Sequence, residues 1–544
     1  MSESTGANPP ASLGRTSALM ASGTFVSRIL GLLRATLLAA VLGTTGLAAD
    51  AFSVANTLPN QINLLVAGGM IGAVLVPQIV KASGHADGGT DFVNRLLTLA
   101  LLIIAVTTVG AVLAAPALVR IFSDTTDPDA LHLAVVFAYL CLPQIFFYGL
   151  YTLLGNVLNA RHRFAAFMWA PVLANVVSIV GLALFWVLDL PRLVGPGAWT
   201  TQMIWVLAGT MTLSIVVQGL FLWIPLRRSG FRYRPRFGFR GVGLRSASRV
   251  AVWSLAAVAV GQLGFIVTSR VLTRASDLAE REQVVAAGRA SYDYAFLLFM
   301  LPHSLITVSL TTALFVRLAS AANRGDTAEV LGDLRSGLRV PVPLTVPIAV
   351  AGVLFAPLVV RVFFRTSAAD TTAVSGVLAA MLLGLLPFGW LYLVNRVYYA
   401  YEDGRTPFVL QVVVTLVATA FNLIGYAASP TQAGVWVGVG QSVSNTAGAA
   451  LGLVLLRRAV GPLGLAATVK MHARMVLASL VALSVTWAGL PLLPSTLGDT
   501  WLEAVIVLAL FGCLYVALAW AIAHRLRVPE VAALLGPVLR RVRR

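Results

Sequence analysis

Long apolar runs separated by short polar stretches dominate this chain. Runs of spanning length fall at about 17–43, 51–80, 96–119, 131–158, 165–188, 202–225, 250–273, 290–316, 341–364, 372–400, 407–428, 433–456, 471–493 and 501–524. A helix rises about 1.5 Å per residue and the bilayer core is about 30 Å thick, so each run is long enough to cross it. The pattern predicts an all-α polytopic membrane protein of about fourteen transmembrane helices.

The runs repeat. LPNQINLLVAGGMIGAVLVPQI has its proline at Pro59, and LPHSLITVSLTTALFVRLA has its proline at Pro302, an offset of 243. LPQIFFYGLYTLLGNVLNARHRF and LPFGWLYLVNRVYYAYEDGRTPF, at Pro143 and Pro387, repeat at 244. Two matching offsets predict two parallel six-helix lobes, an arrangement typical of transporters that rock one bundle against the other. The expected organisation is a polar N-terminus (1–16), an N-lobe of spans 1–6 (17–226), a basic linker (227–249) and a C-lobe of spans 7–12 (250–458). Spans 13–14 (459–524) and a basic tail (525–544) follow.

Polar residues inside the runs carry the candidate chemistry. Arg28 and Arg34 lie within the first span, which holds no acid. A cation at that depth costs at least ~2.5–3.5 kcal/mol and normally faces a cavity or marks function. Snorkelling suits Arg28 poorly, because it lies roughly 18 Å along the helix, and suits Arg34 better. Ser27, Gly31 and Arg34 share a face. The second span adds Asn56, Asn60 and Asn63, and the fourth a stripe of Gln144, Tyr148, Tyr151, Gly155 and Asn159. Such stripes also glue helices together in membranes; beside the two arginines, cavity lining is the better reading. Asp50 opens the second span, either paired with an arginine or capping a helix N-terminus.

Composition narrows the function. The chain is 58% hydrophobic and 11% charged, which excludes a soluble globular domain. With the N-terminus placed in the cytosol, 29 Lys and Arg fall inside and 8 outside, predicting both termini in the cytosol. The net charge of +18 is thus a topology signal and an attraction to anionic lipid, and no nucleic-acid partner is expected. The N-terminus lacks the pattern of a cleavable signal peptide. Cys141 and Cys513 sit in apolar runs, and none of the six histidines has ligand spacing, so no metal site is expected. No P-loop, HExxH or nucleophile elbow appears, so neither enzyme activity nor a cofactor is expected. GVWVG, from Gly434 to Gly438, has GxxxG spacing. Among 47 glycines it is a weak pointer to dimerisation.

SRILGLLRATLLAAVLG, then ADAF from Ala49 to Phe52, then LPNQINLLVAGGMIGAVLVPQI, resemble the MviN/MurJ family of lipid II flippases, within the multidrug/oligosaccharidyl-lipid/polysaccharide exporter superfamily. The resemblance covers the whole chain. It implies transport of undecaprenyl-diphosphate-linked disaccharide-pentapeptide, lipid II, to the outer leaflet of the bacterial cytoplasmic membrane for peptidoglycan synthesis. It also implies that Ser27, Arg28, Arg34 and Asp50 match cavity positions and that the last two helices form a lipid-tail groove; Asn60 and Asn63, from the polar stripe of the second span, are read as further substrate-binding residues. Guanidinium forks suit diphosphate oxygens.

This chain departs from the family pattern. Asn63, Leu64 and Leu297 stand where better-known members carry arginines, and Gly68 where they carry a glutamate. Arg270 could compensate, with Gln144 and Asn159 as accessory lining, or could simply anchor at the interface. The sodium-binding aspartates of some members have no counterpart in the eleventh span. Energy would then come from membrane potential or a monovalent counter-ion. Expected partners are lipid II, membrane lipids and other cell-wall synthesis proteins. The alternatives are export of another polyprenyl-linked saccharide or of a drug, and a non-transporting scaffold for envelope synthesis.

Overall fold

The computed structural model describes residues 11–66, 90–160, 163–231, 233–238, 249–489 and 500–534. Most of the polar N-terminus, the second half of the second expected span with Gly68, part of the basic linker and the last ten residues of the tail lie outside them. No strand occurs among the described residues. Helices are what apolar runs in lipid must form, because every backbone polar group has to be satisfied within its own segment.

We number the principal helices α1 (Ala11–Leu42), α2 (Leu47–Val66), α3 (Thr90–Leu113), α4 (Pro128–Asn159), α5 (Phe164–Val187), α6 (Thr201–Arg228) and α7 (Arg249–Glu282). There follow α8 (Arg289–Asn323), α9 (Val342–Phe364), α10 (Ala368–Leu382 with Leu385–Ala400), α11 (Arg405–Ala427), α12 (Pro430–Val460), α13 (Ala466–Gly489) and α14 (Trp501–Arg525). Among the described residues twelve helices are long and apolar enough to span, or thirteen when α10, bent by 47°, counts as one. α2 is described only as far as Val66, so the expected fourteen is not reached on these residues.

Local chemistry sets the ends and breaks. Ser367 caps α10 by accepting from Asp370 N, and Thr500 and Glu503 form a reciprocal capping box on α14. Pro347 has no N–H for the carbonyl of Pro343, four residues back. Trp520 of α14 donates its Nε1 to that oxygen instead, at 2.9 Å. Tyr515 donates to Pro347 O at 3.1 Å. Trp501 donates to Val362 O in the last turn of α9, where carbonyls lack intrahelical partners. Spans thirteen and fourteen thus pack on α9.

The chain divides into two compact units. The first holds Met1–Leu42, Val54–Arg120 and Pro128–Ser248; the second holds Gly43–Ser53, Ile121–Asp127 and Arg249–Arg544. The main division falls at the end of the basic linker, and two short segments from the N-terminal half are built into the second unit. Within that unit the GxxxG pair is used inside the chain. A Cβ at Gly438 would meet Val377 O at 3.0 Å and Ala380 Cβ at 2.8 Å, and one at Gly434 would meet Ala287 Cβ at 2.7 Å. The glycines let α12 approach α10 closely, so this GxxxG is accounted for by packing within one chain.

Candidate functional site

In the first unit the face of α1 predicted from spacing is present. Ser27, Arg28 and Arg34 are all half-buried. Asn175 of α5 donates its amide to Ser27 O at 2.9 Å and to Ser27 Oγ at 3.3 Å, and Gly31 leaves room beside that amide. Arg34 lies near enough to Tyr148 of α4 to act on it electrostatically. Tyr151, one turn further, stacks on Phe167 at 4.7 Å and donates to Phe167 O at 3.1 Å. The arginines therefore sit on a helix whose neighbours offer amide and phenol groups. Asn175, in APVLANVVSIVG, was the signal missed: a lone amide in an otherwise apolar span.

The other first-unit candidates separate. Asn60 is exposed and Asn63 half-buried on α2. Gln144 is buried and donates to Thr212 Oγ1 at 2.9 Å, while Thr212 donates to Leu140 O at 2.7 Å. That is a helix-to-helix fastening. Asn159 ends α4 with its Oδ1 buried and without a hydrogen-bond partner among the described residues.

Asp50 and Arg270 belong to the second unit. Asp50 is 3% exposed, and its Oδ1 accepts from Ala290 N at 2.7 Å, in the first turn of α8. It caps that helix from a distance, where a carboxylate is favoured. Arg270 is ion-paired with Asp124, which also accepts from Tyr426 at 3.3 Å.

Hydropathy does not single out Arg289, which lies just ahead of the run at 290–316. It is 1% exposed and is the largest of the fully buried side chains among the described residues. Its Nη2 pairs with Asp293 Oδ1 at 2.7 Å, and its Cζ lies 4.7 Å from the centre of the Phe265 ring and 5.3 Å from that of Tyr292. Ser53 donates to Asp293, Thr45 donates to Asp370 and Ser291 donates to Thr44 O. Around it, Asp277 accepts from Thr125 Oγ1 (2.9 Å), Thr126 Oγ1 (2.8 Å), Thr126 N (3.1 Å) and Asp127 N (3.1 Å). Buried charges need such partners. Together these contacts fasten segments Gly43–Ser53 and Ile121–Asp127 onto α7, α8 and α10. Among the described residues no group of three His, Cys, Asp or Glu side chains is placed to hold a metal.

An apolar cavity of about 290 Å³ also lies in the second unit, between α8, α9, α10 and α14; Leu298, Pro302, Phe355, Leu382, Leu508 and Tyr515 contribute to its walls.

Comparison with known proteins follows the architecture. The family model described as "Lipid II flippase MurJ" matches residues 38–511. The "Lipid II flippase MurJ" of Burkholderia cenocepacia is 28% identical over 525 residues, covering 92% of this chain and 96% of that protein. The "Probable lipid II flippase MurJ" of Rhizobium meliloti is 28% identical over 445 residues, covering 78% and 79%. Among solved structures, an inward closed conformation of the lipid II flippase MurJ superposes with a TM-score of 0.72 at 20% identity, covering 94% of this chain and 99% of that one. A MATE transporter in complex with MaL6 gives 0.58 at 18% identity, covering 82% and 96%; at these identities the likeness is one of fold. With its model matched over most of the length, the chain belongs to the lipid II flippase MurJ family.

Proposed function

We propose that this protein carries lipid II from the inner to the outer leaflet of the bacterial cytoplasmic membrane by alternating access, as a transporter and not an enzyme. The observation that carries this reading is the family match over residues 38–511, which takes in the end of α1 and all of α2; Ser27, Arg28 and Arg34 lie just ahead of it. Arg28 and Arg34 hold the diphosphate, with Ser27, Asn60 and Asn63 along the same path. A guanidinium keeps its charge at every relevant pH and matches phosphate oxygens in a fork. The half-buried setting of both arginines, on the helix whose Ser27 is bonded by Asn175, supports that role. The apolar cavity against α14 supports seating of the polyprenyl tail.

The excess of Lys and Arg in alternate loops supports both termini in the cytosol. Membrane potential would favour outward movement of an anionic head group by ~2.3 kcal/mol per charge per 100 mV, so no cofactor is needed. A monovalent counter-ion remains the competing energy source, and other cell-wall synthesis proteins are the natural partners.

The test is complementation of a strain depleted of its lipid II flippase, with outer-leaflet lipid II measured directly at matched membrane levels. Wild type should rescue and the Arg28→Ala/Arg34→Ala variant should not. Rescue by both would remove the arginines from the mechanism. Failure of well-inserted wild type would favour another polyprenyl-linked saccharide or a scaffold.

A further inference from the structure

The sixth span ends in WIPLRR, Trp223–Arg228, and Gly230, at φ 82°, turns the chain back in a conformation that suits glycine. The basic segment that follows is not a loose linker. Phe231 is buried. Arg234 N donates to Asn94 Oδ1 at 3.2 Å and Arg236 N to Thr98 Oγ1 at 3.1 Å, both on α3. Tyr233 OH lies 2.9 Å from Thr98 Oγ1, and its ring meets Trp223 edge-on at 6.0 Å. Pinned this way, the segment and the end of α6 enclose a cavity of about 470 Å³ lined by Trp223, Leu226, Arg227, Phe231, Tyr233 and Arg234.

We propose that this cavity is a binding site for the phosphate of an anionic glycerophospholipid, held between Arg227 and Arg234. No carboxylate lines it, and neither guanidinium is paired with one among the described residues. Arg227 is held over the Trp223 ring, 5.5 Å from its centre, which fixes one charge at the cavity wall. Two cations lining one cavity, with no carboxylate in its described lining, favour an anion, and their forked donors suit phosphate oxygens. The same chemistry would accept a free phosphate ester. The flank of α6 favours the lipid. Leu220, Ile224 and Arg227 follow one another at i, i+4 and i+7, and the two apolar residues are 51% and 52% exposed. An acyl chain along that stripe brings its phosphate to Arg227, at the depth where Trp223 marks the membrane interface. The site is separate from the transport reading, and neither arginine belongs to the proposed translocation path.

Native mass spectrometry of the full-length protein with phosphatidylglycerol, phosphatidylcholine or soluble glycerol 3-phosphate tests this. Wild type should retain phosphatidylglycerol over phosphatidylcholine. The Arg227→Ala/Arg234→Ala variant should lose about 25-fold in affinity, at roughly fivefold per arginine. Arg228→Ala, a neighbouring charge outside the lining, should retain it. The exposed position of both arginines predicts an unchanged melting temperature for the double variant, which separates lost binding from misfolding. Ile224→Ser should weaken phosphatidylglycerol alone. The proposal falls if the double variant binds like wild type, if Arg228→Ala loses as much, or if millimolar glycerol 3-phosphate displaces the lipid, which would make a soluble phosphate ester the ligand.

Discussion

Arg34 and Arg289 are the same side chain in opposite circumstances. Arg34 is half-buried in the middle of a span, on a face that carries Ser27 and Gly31 and looks to amide and phenol neighbours. Arg289 is 1% exposed at the start of α8, with a carboxylate on one nitrogen and aromatic rings against its plane. A guanidinium already enclosed by its own protein has little surface left for a ligand. One that keeps part of its surface open can exchange partners. Depth in the membrane drew attention to Arg34, whereas burial among protein partners identifies Arg289 as a structural fastening. The difference shows that intramembrane charge and buried charge are separate signals.

The sharpest way to break that contrast is to remove each arginine in turn. Arg289→Ala withdraws the cation from a buried pair and should destabilise by about 3 kcal/mol, at the lower end for broken buried pairs because Asp293 keeps 37% of its side chain exposed. Thermal unfolding in detergent would show it as a clear drop in melting temperature. Arg34→Ala should leave melting within about 1 kcal/mol of wild type while abolishing lipid II transport. If Arg289→Ala melts like wild type, or Arg34→Ala unfolds, the division of roles between the two arginines is wrong.

The outer fastening can be tested one step further out. Asp277 accepts four hydrogen bonds from residues 125–127 and pairs with Arg281 at 3.1 Å. Asp277→Ala leaves those donors to find water, and should cost about 2 kcal/mol. The expected signature is local: amide exchange should rise across residues 121–127 and stay unchanged along α1. Faster exchange along α1 as well would mean that the two regions unfold together, and would blur the distinction drawn between them.

How much of this was legible in the sequence depends on the range of the interaction. Span positions, the repeat and the polar face of α1 are written in local periodicity, because 3.6 residues per turn and the membrane thickness act on neighbouring residues. Asp50 was read as either a pairing partner or a cap, and it caps α8, although 240 residues separate it from Ala290. Arg289 was missed because a charge at the end of an apolar run reads as a loop charge. Its burial depends on Phe265 and Asp293 closing over it, and hydropathy does not register that. Arg270 was weighed as a cavity cation or an anchor, and its ion pair with Asp124 reaches across 146 residues. The linker between the sixth and seventh spans was read from its charge, and charge carries no trace of the side chains of α3 that pin it.

The smallest expected effect probes the first region from its own side. Asn175 is 7% exposed, and its amide bridges α5 to Ser27 on the arginine-bearing face. Hydrogen bonds between helices in membranes average about 0.6 kcal/mol, because the separated helices also find partners. Asn175→Ala should therefore shift melting by only about that much. Its effect on function should be larger than its effect on stability. Without the amide, Ser27 loses the contact that sets the rotation of α1, and Arg28 and Arg34 lie one and seven residues further along the same helix. Lipid II binding should weaken in Asn175→Ala and recover in Asn175→Gln, whose longer side chain keeps the amide. A variant that melts normally and binds normally would show that α1 is oriented by packing alone. Loss of stability equal to that of Arg289→Ala would place the first region, like the second, among structures held by buried polar contacts.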